Sequence, residues 1–208
     1  LHLSSRRQRQ MCIRDRFKGK EVIDSESLLP KDAFNKIQQI LTLNEGIKGL
    51  IYSDVTGEIN GKLLDLAKEI PVIAINSSIK LPFVNEYESK STLGADRIAL
   101  VAAAVIAYPE KNTLVIDLGS CITYDFVSKE NTYKGGAISP GFEMRYKALN
   151  RFTVKLPMLS AKIPENPEGN STIDSIHSGV YFGVLDEIIG RIKYCLLYTS
   201  PSPRDVEE

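Results

Sequence analysis

The residues best suited to chemistry lie between positions 113 and 141 of this chain. An apolar stretch ends in the sequence Asp-Leu-Gly-Ser at 117–120, and a second apolar stretch carries Thr123. A turn of this kind brings backbone N–H groups and the Ser120 hydroxyl close to an anionic oxygen, while the carboxylate of Asp117 can hold a cation. The pattern therefore indicates phosphate binding, and an ordinary hairpin turn is the alternative.

A second glycine-rich segment follows at 135–141 and holds three glycines and a proline in seven residues. Such a density indicates a backbone that needs positive φ or that approaches a ligand closely. A tight hairpin is the alternative here too.

The start of an apolar, alanine-rich helix carries the next candidates, in the sequence Gly-Ala-Asp-Arg at 94–97. The partial positive charge at a helix N-terminus favours an ionised carboxylate, so Asp96 suits a general base. A simple capping aspartate is the alternative. Arg97 suits either an anion clamp or a surface salt bridge.

Hydroxyl side chains mark the start of a later helix at Ser171 and Thr172. We assign helix capping to Ser171, whereas Thr172 suits either a cap or a ligand contact. His177 lies within the same helix with no second histidine nearby, so we interpret it as structural or exposed.

Strands and helices alternate along the chain, and the βα order of the first half predicts some parallel pairing. Helices are predicted over 30–43, 59–69, 94–108, 144–151 and from 172 onward, and strands over 49–53, 72–75, 114–118 and 121–127, with a loop over 157–169. The helix over 94–108 is apolar nearly all round and is expected to be buried. The last helix is expected to direct a row inward: Ile173, Ile176, Val180, Val184, Ile188 and Ile192.

Both ends of the chain have the character of foreign sequence. Residues 11–15 can be encoded by codons whose reverse complement, shifted in frame, encodes residues 195–199, as in one inverted DNA repeat. Both ends also resemble translated sequencing-adapter sequence. We therefore interpret 1–16 and 195–208 as adapter-derived and non-native, with a natural basic arm and Ser/Pro tail as the alternative.

Composition excludes several classes of protein. The formal net charge of the full sequence is zero, and residues 17–194 remain near neutral without a basic stripe, so nucleic acid and anionic membranes are not favoured as partners. The longest apolar run, 98–107, is too short to cross a bilayer, and a cytoplasmic location is expected. Cys121 is the one cysteine within 17–194, which excludes disulfides there.

Taken together and in this order, the motifs closely resemble the type III pantothenate kinases. The resemblance covers nearly all of 17–194 and rests on five segments: Tyr87, 93–97, 117–120, 135–141 and 171–172. It implies an α/β fold of the actin, Hsp70 and sugar-kinase ATPase superfamily, with two incomplete RNase H-like halves at 17–109 and 110–194. It also implies ATP-dependent phosphorylation of pantothenate to 4'-phosphopantothenate, the first step of coenzyme A synthesis.

The resemblance also implies roles for individual residues. Asp96 corresponds to the general base, and Asp117 to the ligand of a monovalent cation, K⁺ or NH₄⁺. Gly119 and Ser120 correspond to ATP contacts, with serine where threonine is commoner. The substrate contacts implied are Tyr87, Gly94, Ala95, Asp96, Arg97 and Thr172. Magnesium accompanies ATP, and the family is homodimeric.

Two segments of the family pattern have no counterpart in the sequence. The opening Asp-x-Gly-Asn-Thr phosphate loop is not found before Phe17, and the Thr-Gly-Gly nucleotide segment is not found at the other end. We therefore expect little or no activity from this chain by itself. Two alternatives remain open: another kinase of the same superfamily, acting on a sugar or acetate, and a non-catalytic regulatory relative.

Overall fold

The computed structural model describes residues 12–19, 21–44, 46–53, 63, 65, 70–76 and 78–199. The chain divides into two compact units. One comprises Leu1–Ile79 with Gly94–Asp96, and the other comprises Lys80–Leu93 with Arg97–Glu208. Within the described ranges, no helix has both the length and the apolar character needed to cross a membrane.

The first unit begins with an antiparallel hairpin of β1 (Cys12–Lys18) and β2 (Glu21–Leu28). Helix α1 (Pro30–Leu43) follows with the bounds that its pattern predicts, because proline suits the first position of a helix. Strands β3 (Leu50–Tyr52) and β4 (Val72–Ala74) pair in parallel, which confirms the predicted parallel pairing.

Three segments of the first unit can be compared with the predictions. The strand predicted over 49–53 forms, but it is not buried, because Ile51 of β3 is exposed. The helix predicted over 59–69 lies outside the described residues except for Leu63 and Asp65, both of which are helical. Residues 12–16, which we interpret as adapter-derived, form most of β1.

The second unit carries the rest of the elements, apart from the first two residues of one helix, Ala95 and Asp96. They are β5 (Val84–Asn85), a 3₁₀ turn at Lys90–Thr92, α2 (Ala95–Ala107), β6 (Thr113–Leu118), β7 (Cys121–Val127), β8 (Thr132–Pro140), α3 (Phe142–Arg151) and α4 (Thr172–Thr199). The predicted helices and strands of this half are confirmed within one or two residues. Helix α2 nevertheless exposes Ile106, at 71%, so the expectation of burial all round is wrong. Alanine is common on both exposed and buried faces of helices, so the alanine-rich composition of α2 led to a prediction of more burial than the helix has.

The four strands of the second unit form one sheet in the order β5-β8-β7-β6, with β5 parallel to β8 and the other pairs antiparallel. Side chains alternate between its faces. On one face, Ile122 and Tyr124 of β7 pack against Val184 of α4 and form a buried core. The opposite face carries the polar side chains of Thr123 and Asp125, both buried.

Helix α4 covers the apolar face through the predicted row at its centre. Ile176, Val180 and Val184 are buried, and Ile188 packs against the core. The two ends of the row are exceptions, because Ile173 and Ile192 are both exposed. The predicted loop over 157–169 has no regular secondary structure, and it contributes Leu159 and Ala161 to a second core around Tyr146.

The glycine pair at 135–136 lies inside strand β8 and not in a loop or hairpin turn. Gly135 has a φ of +94°, which β-carbon-bearing residues rarely adopt. A β-carbon on Gly136 would lie 1.6 Å from the carbonyl oxygen of Tyr124. Positive φ, one of the two predicted reasons for these glycines, is therefore confirmed at Gly135. The close approach at Gly136 is to the adjacent strand and not the predicted approach to a ligand.

Gly136→Ala should destabilise the protein by about 3 kcal/mol or more, because β7 and β8 must separate to admit the methyl group. Gly190→Ala is the matched control: Gly190 is helical and has open space around it, so alanine should stabilise the protein by about 0.5–1 kcal/mol. Urea denaturation of both variants measures the two free energies of unfolding. Equal stability of Gly136→Ala and the parent chain would show that the strands are not so close.

Candidate functional site

The Gly119–Ser120 turn connects β6 to β7 and is held by backbone hydrogen bonds. The amide of Gly119 donates to the carbonyl of Cys121 at 3.0 Å, and the amide of Gly141 donates to the carbonyl of Ser120 at 3.1 Å. A β-carbon on Gly141 would lie 2.4 Å from the carbonyl oxygen of Gly119. Two segments that the sequence analysis treated separately therefore meet, and Gly141 is required for the contact.

Asp117 and Thr123 lie directly opposite each other on β6 and β7. Opposite residues of an antiparallel pair project from the same face of the sheet, so a carboxylate and a hydroxyl share one location. Thr123 is 8% exposed, and its Oγ1 has no hydrogen-bond partner among the described residues. A buried oxygen of this kind normally has a partner. Oxygen donors alone fit a hard cation such as K⁺ or Mg²⁺.

Asp96 lies in the first turn of α2, as predicted, and is exposed. Gly94 and Ala95 directly precede it and are half-buried. The exposed position leaves the Asp96 carboxylate accessible to a substrate hydroxyl, as a proton acceptor requires.

Arg97 forms a buried ion pair with Asp125 of β7. Its Nη2 lies 2.6 Å and its Nε 3.0 Å from Asp125 Oδ1, and the two residues are 5% and 0% exposed. The hydroxyl of Tyr133 donates to the same Oδ1 at 2.6 Å and accepts from Arg97 Nη2 at 2.9 Å. Of the two roles predicted for Arg97, the structure shows a salt bridge, but a buried one and not a surface one.

The ion pair changes the acid–base properties of its members. Burial opposes the charge of Arg97, but the hydrogen bond and the charge of Asp125 outweigh it and raise the pKa of the guanidinium above its ordinary value. Burial, together with the hydrogen bond to Asp125, raises the pKa of Tyr133 far above that of a free phenol. Arg97 therefore stays charged and Tyr133 stays a hydrogen-bond donor at physiological pH.

Tyr87 joins the same cluster from the segment that follows β5. The guanidinium carbon of Arg97 lies 5.6 Å from the centre of the Tyr87 ring, within the range of a cation–π contact. The ring of Tyr133 lies 6.0 Å from that of Tyr87, and the Tyr87 amide donates to Asn85 Oδ1 at 2.9 Å. Tyr87 and Arg97, both predicted as substrate contacts, are therefore in direct contact.

Thr172 opens helix α4 and is exposed, at the edge of an open groove of about 990 Å³. Ser171 caps the helix as predicted, because its Oγ accepts from the Asp174 amide at 3.1 Å. Arg145 also lines this groove and donates from Nε to the Pro140 carbonyl at 2.8 Å.

His177 is structural, which confirms one of the two interpretations offered for it. It is buried in α4, and its Nδ1 lies 2.8 Å from the hydroxyl of Tyr146. Sequence reasoning missed Asp125 and Tyr133 altogether. A signal was present, since a carboxylate inside the apolar strand Cys121–Val127 must be paired if it is buried.

Comparison with known proteins identifies the class. A family model described as type III pantothenate kinase matches residues 11–193. The type III pantothenate kinase of Flavobacterium psychrophilum is 41% identical over 178 residues, covering 85% of this chain and 73% of the relative. That of Christiangramia forsetii is 42% identical over 177 residues, covering 85% and 73%.

A solved structure from Campylobacter jejuni, described as a transcriptional activator of the Baf family, aligns with a TM-score of 0.51 and 23% identity. The alignment covers 80% of this chain and 71% of that one, and it supports the fold alone. The fold and the sequence matches define a kinase of the actin, Hsp70 and sugar-kinase ATPase superfamily. The chain belongs to the type III pantothenate kinase family.

Asp125→Asn should destabilise the protein by about 3–5 kcal/mol, because Arg97 would keep a buried charge without a counter-charge. Glu86→Gln is the matched control, since the Lys134–Glu86 pair has a similar distance, 2.7 Å, but is half exposed on both sides. Its loss should cost less than about 1 kcal/mol. Chemical denaturation gives both values, and similar losses in the two variants would contradict the buried pair.

Proposed function

We propose that this protein transfers the γ-phosphoryl group of ATP to the primary hydroxyl of pantothenate, which yields 4'-phosphopantothenate and ADP. The observation that carries the proposal is the family match over 11–193 together with Asp96 in the first turn of α2. The reaction begins coenzyme A synthesis and requires a base, a phosphate-binding backbone and charge neutralisation.

Asp96 acts as the base. Its carboxylate accepts the proton of the pantothenate hydroxyl as the hydroxyl oxygen bonds to the γ-phosphorus, and the bond from that phosphorus to the bridging oxygen of ADP breaks. A carboxylate at this position, and not an amide, is what the proposal requires.

The turn after β6 receives ATP. Gly119 and Ser120 are exposed there, and the contact with Gly141 gives the turn a defined shape in which the Ser120 hydroxyl can bind a phosphate oxygen. Asp117 and Thr123 would hold the monovalent cation through their oxygens, with K⁺ or NH₄⁺ as the candidates. Bound cations, including the Mg²⁺ that accompanies ATP, offset the negative charge of the phosphates.

Pantothenate is bound by the segment 94–97, by Tyr87 and by Thr172. Support comes from the contact between the Tyr87 ring and Arg97 and from the exposed position of Thr172 beside an open groove. We also propose a cytoplasmic homodimer, with RNase H-like halves at 17–109 and 110–194. These finer assignments follow from family membership and are open to direct test.

Asp96→Asn should lower pantothenate-dependent ADP release by about 100-fold or more, because an amide cannot accept the proton. A coupled assay with ATP, Mg²⁺ and K⁺ measures this on the chain and on a chimera in which residues 17–194 replace the matching segment of the Flavobacterium psychrophilum relative. Asp32→Asn, an exposed aspartate in the first turn of α1, is the control and should leave the rate unchanged. A folded chimera that binds ATP but does not turn over pantothenate would refute the proposed function.

Asp117→Asn should raise the K⁺ concentration needed for half-maximal activity by about tenfold or more, since one ligand charge is lost. Thr123→Val, which removes only the hydroxyl, should shift it in the same direction. Thr132→Val is the control on the neighbouring strand, where the threonine is equally buried. Potassium titrations of the chimera give the three values, and an unchanged K⁺ dependence in both test variants would show that the cation lies elsewhere.

A further inference from the structure

The segment 94–97, proposed to bind pantothenate, is attached to the sheet through Arg97. The two sheet residues that hold Arg97 are buried and have no role in the proposed function. Asp125 of β7 and Tyr133 of β8 both bind the guanidinium of Arg97. Arg97 in turn lies against the ring of Tyr87. Two residues assigned to pantothenate, Tyr87 and Arg97, therefore contact each other and are both held by Tyr133, while Asp125 holds Arg97.

The geometry restricts Arg97 strongly. Nε and Nη2 both point at Asp125 Oδ1, and Tyr133 closes a three-membered set of hydrogen bonds with distances of 2.6, 2.6 and 2.9 Å. Charge-assisted hydrogen bonds of this length are the strong ones, and an arginine fork bound in two places has little rotational freedom. Arg97 is also the residue directly after Asp96, so fixing its side chain restricts the first turn of α2.

Aromatic ring contacts add to the charged interactions around Tyr87. The ring of Tyr133 lies between two others: that of Phe83 at 6.0 Å in an edge-to-face arrangement and that of Tyr87 at 6.0 Å in a tilted one. Gly135 lies beside Tyr87, and a β-carbon there would be 3.6 Å from the ring. The Tyr87 ring is thus supported on one side by β8 and on another by Arg97.

We propose that Asp125 and Tyr133 are positioning residues for pantothenate: they hold Arg97, and through it Tyr87 and the first turn of α2, in the geometry that binds this substrate. The proposal rests on the proposed function for the identity of the substrate. Asp125 and Tyr133 touch neither ATP nor pantothenate in this account and act through Arg97.

Tyr133→Phe tests the proposal, because it removes one hydroxyl and leaves the Arg97–Asp125 pair and the ring contacts in place. In the full chain, hydrogen exchange of the amides of residues 97–103 should become about tenfold faster, while exchange in α3 stays unchanged. Tyr108→Phe is the matched control, since Tyr108 directly follows α2 and is exposed, and it should change neither region. Exchange that is unchanged in 97–103, or faster everywhere to the same extent, would overturn the proposal.

Steady-state kinetics separate positioning from mere stability. Tyr133→Phe should raise the KM for pantothenate by about fivefold to tenfold and leave the KM for ATP unchanged. A purely structural role would lower the amount of active protein and leave both KM values as they are, which would overturn the proposal. These constants are measured on the chimera, because little or no activity is expected of the chain by itself. If the chimera with the parent sequence does not turn over pantothenate, the proposed function is in question, and the exchange experiment by itself then supports or overturns the positioning network.

Discussion

The buried ion pair between Arg97 and Asp125 is the interaction on which the second unit depends. Removing two charges from water is costly, and the attraction between them offsets the cost only when geometry is good and the remaining polar atoms are satisfied. Here Tyr133 supplies the further hydrogen bonds. Such a pair stabilises a fold less than apolar packing does. It nevertheless restricts how α2 packs on β7, because any displacement of α2 from β7 would leave a charge unpaired. It therefore fixes the side chain of Arg97 against β7.

Side chains along β7 alternate between an apolar face and a polar face. Ile122 and Tyr124 point to the core shared with α4, and that apolar face supplies the burial that keeps the sheet folded. Thr123 and Asp125 point the other way and form a polar row beside Asp117 of β6. Because consecutive residues of a strand face opposite sides, one seven-residue strand serves both purposes.

Close backbone contact gives the phosphate turn its shape. Gly141 lies against the carbonyls of Gly119 and Ser120. A β-carbon on Gly141 would lie only 2.4 Å and 2.6 Å from the two carbonyl oxygens, so any other residue would push the turn away. The turn is thus defined by the end of β8 as well as by its own two residues. Gly136 lets β8 approach β7 in the same way further along. The glycines of 135–141 therefore permit close strand pairing, and Gly141 thereby shapes the Gly119–Ser120 turn although it is distant in sequence.

Local patterns in the sequence were sufficient for the family, for most of the described helices and for four of the strands, but β1, β2, β5 and β8 were not predicted. The bounds of α1 and the cap at Ser171 follow from proline and hydroxyl preferences that act within one turn of chain. The partner of Arg97 and the neighbour of Gly136 could not be derived in this way. Both depend on which strands lie side by side, and that is decided by the register of residues far apart in sequence. The sequence by itself determined which residues can do the chemistry, whereas the tertiary structure decided which of them meet, because contact requires the sheet to be assembled.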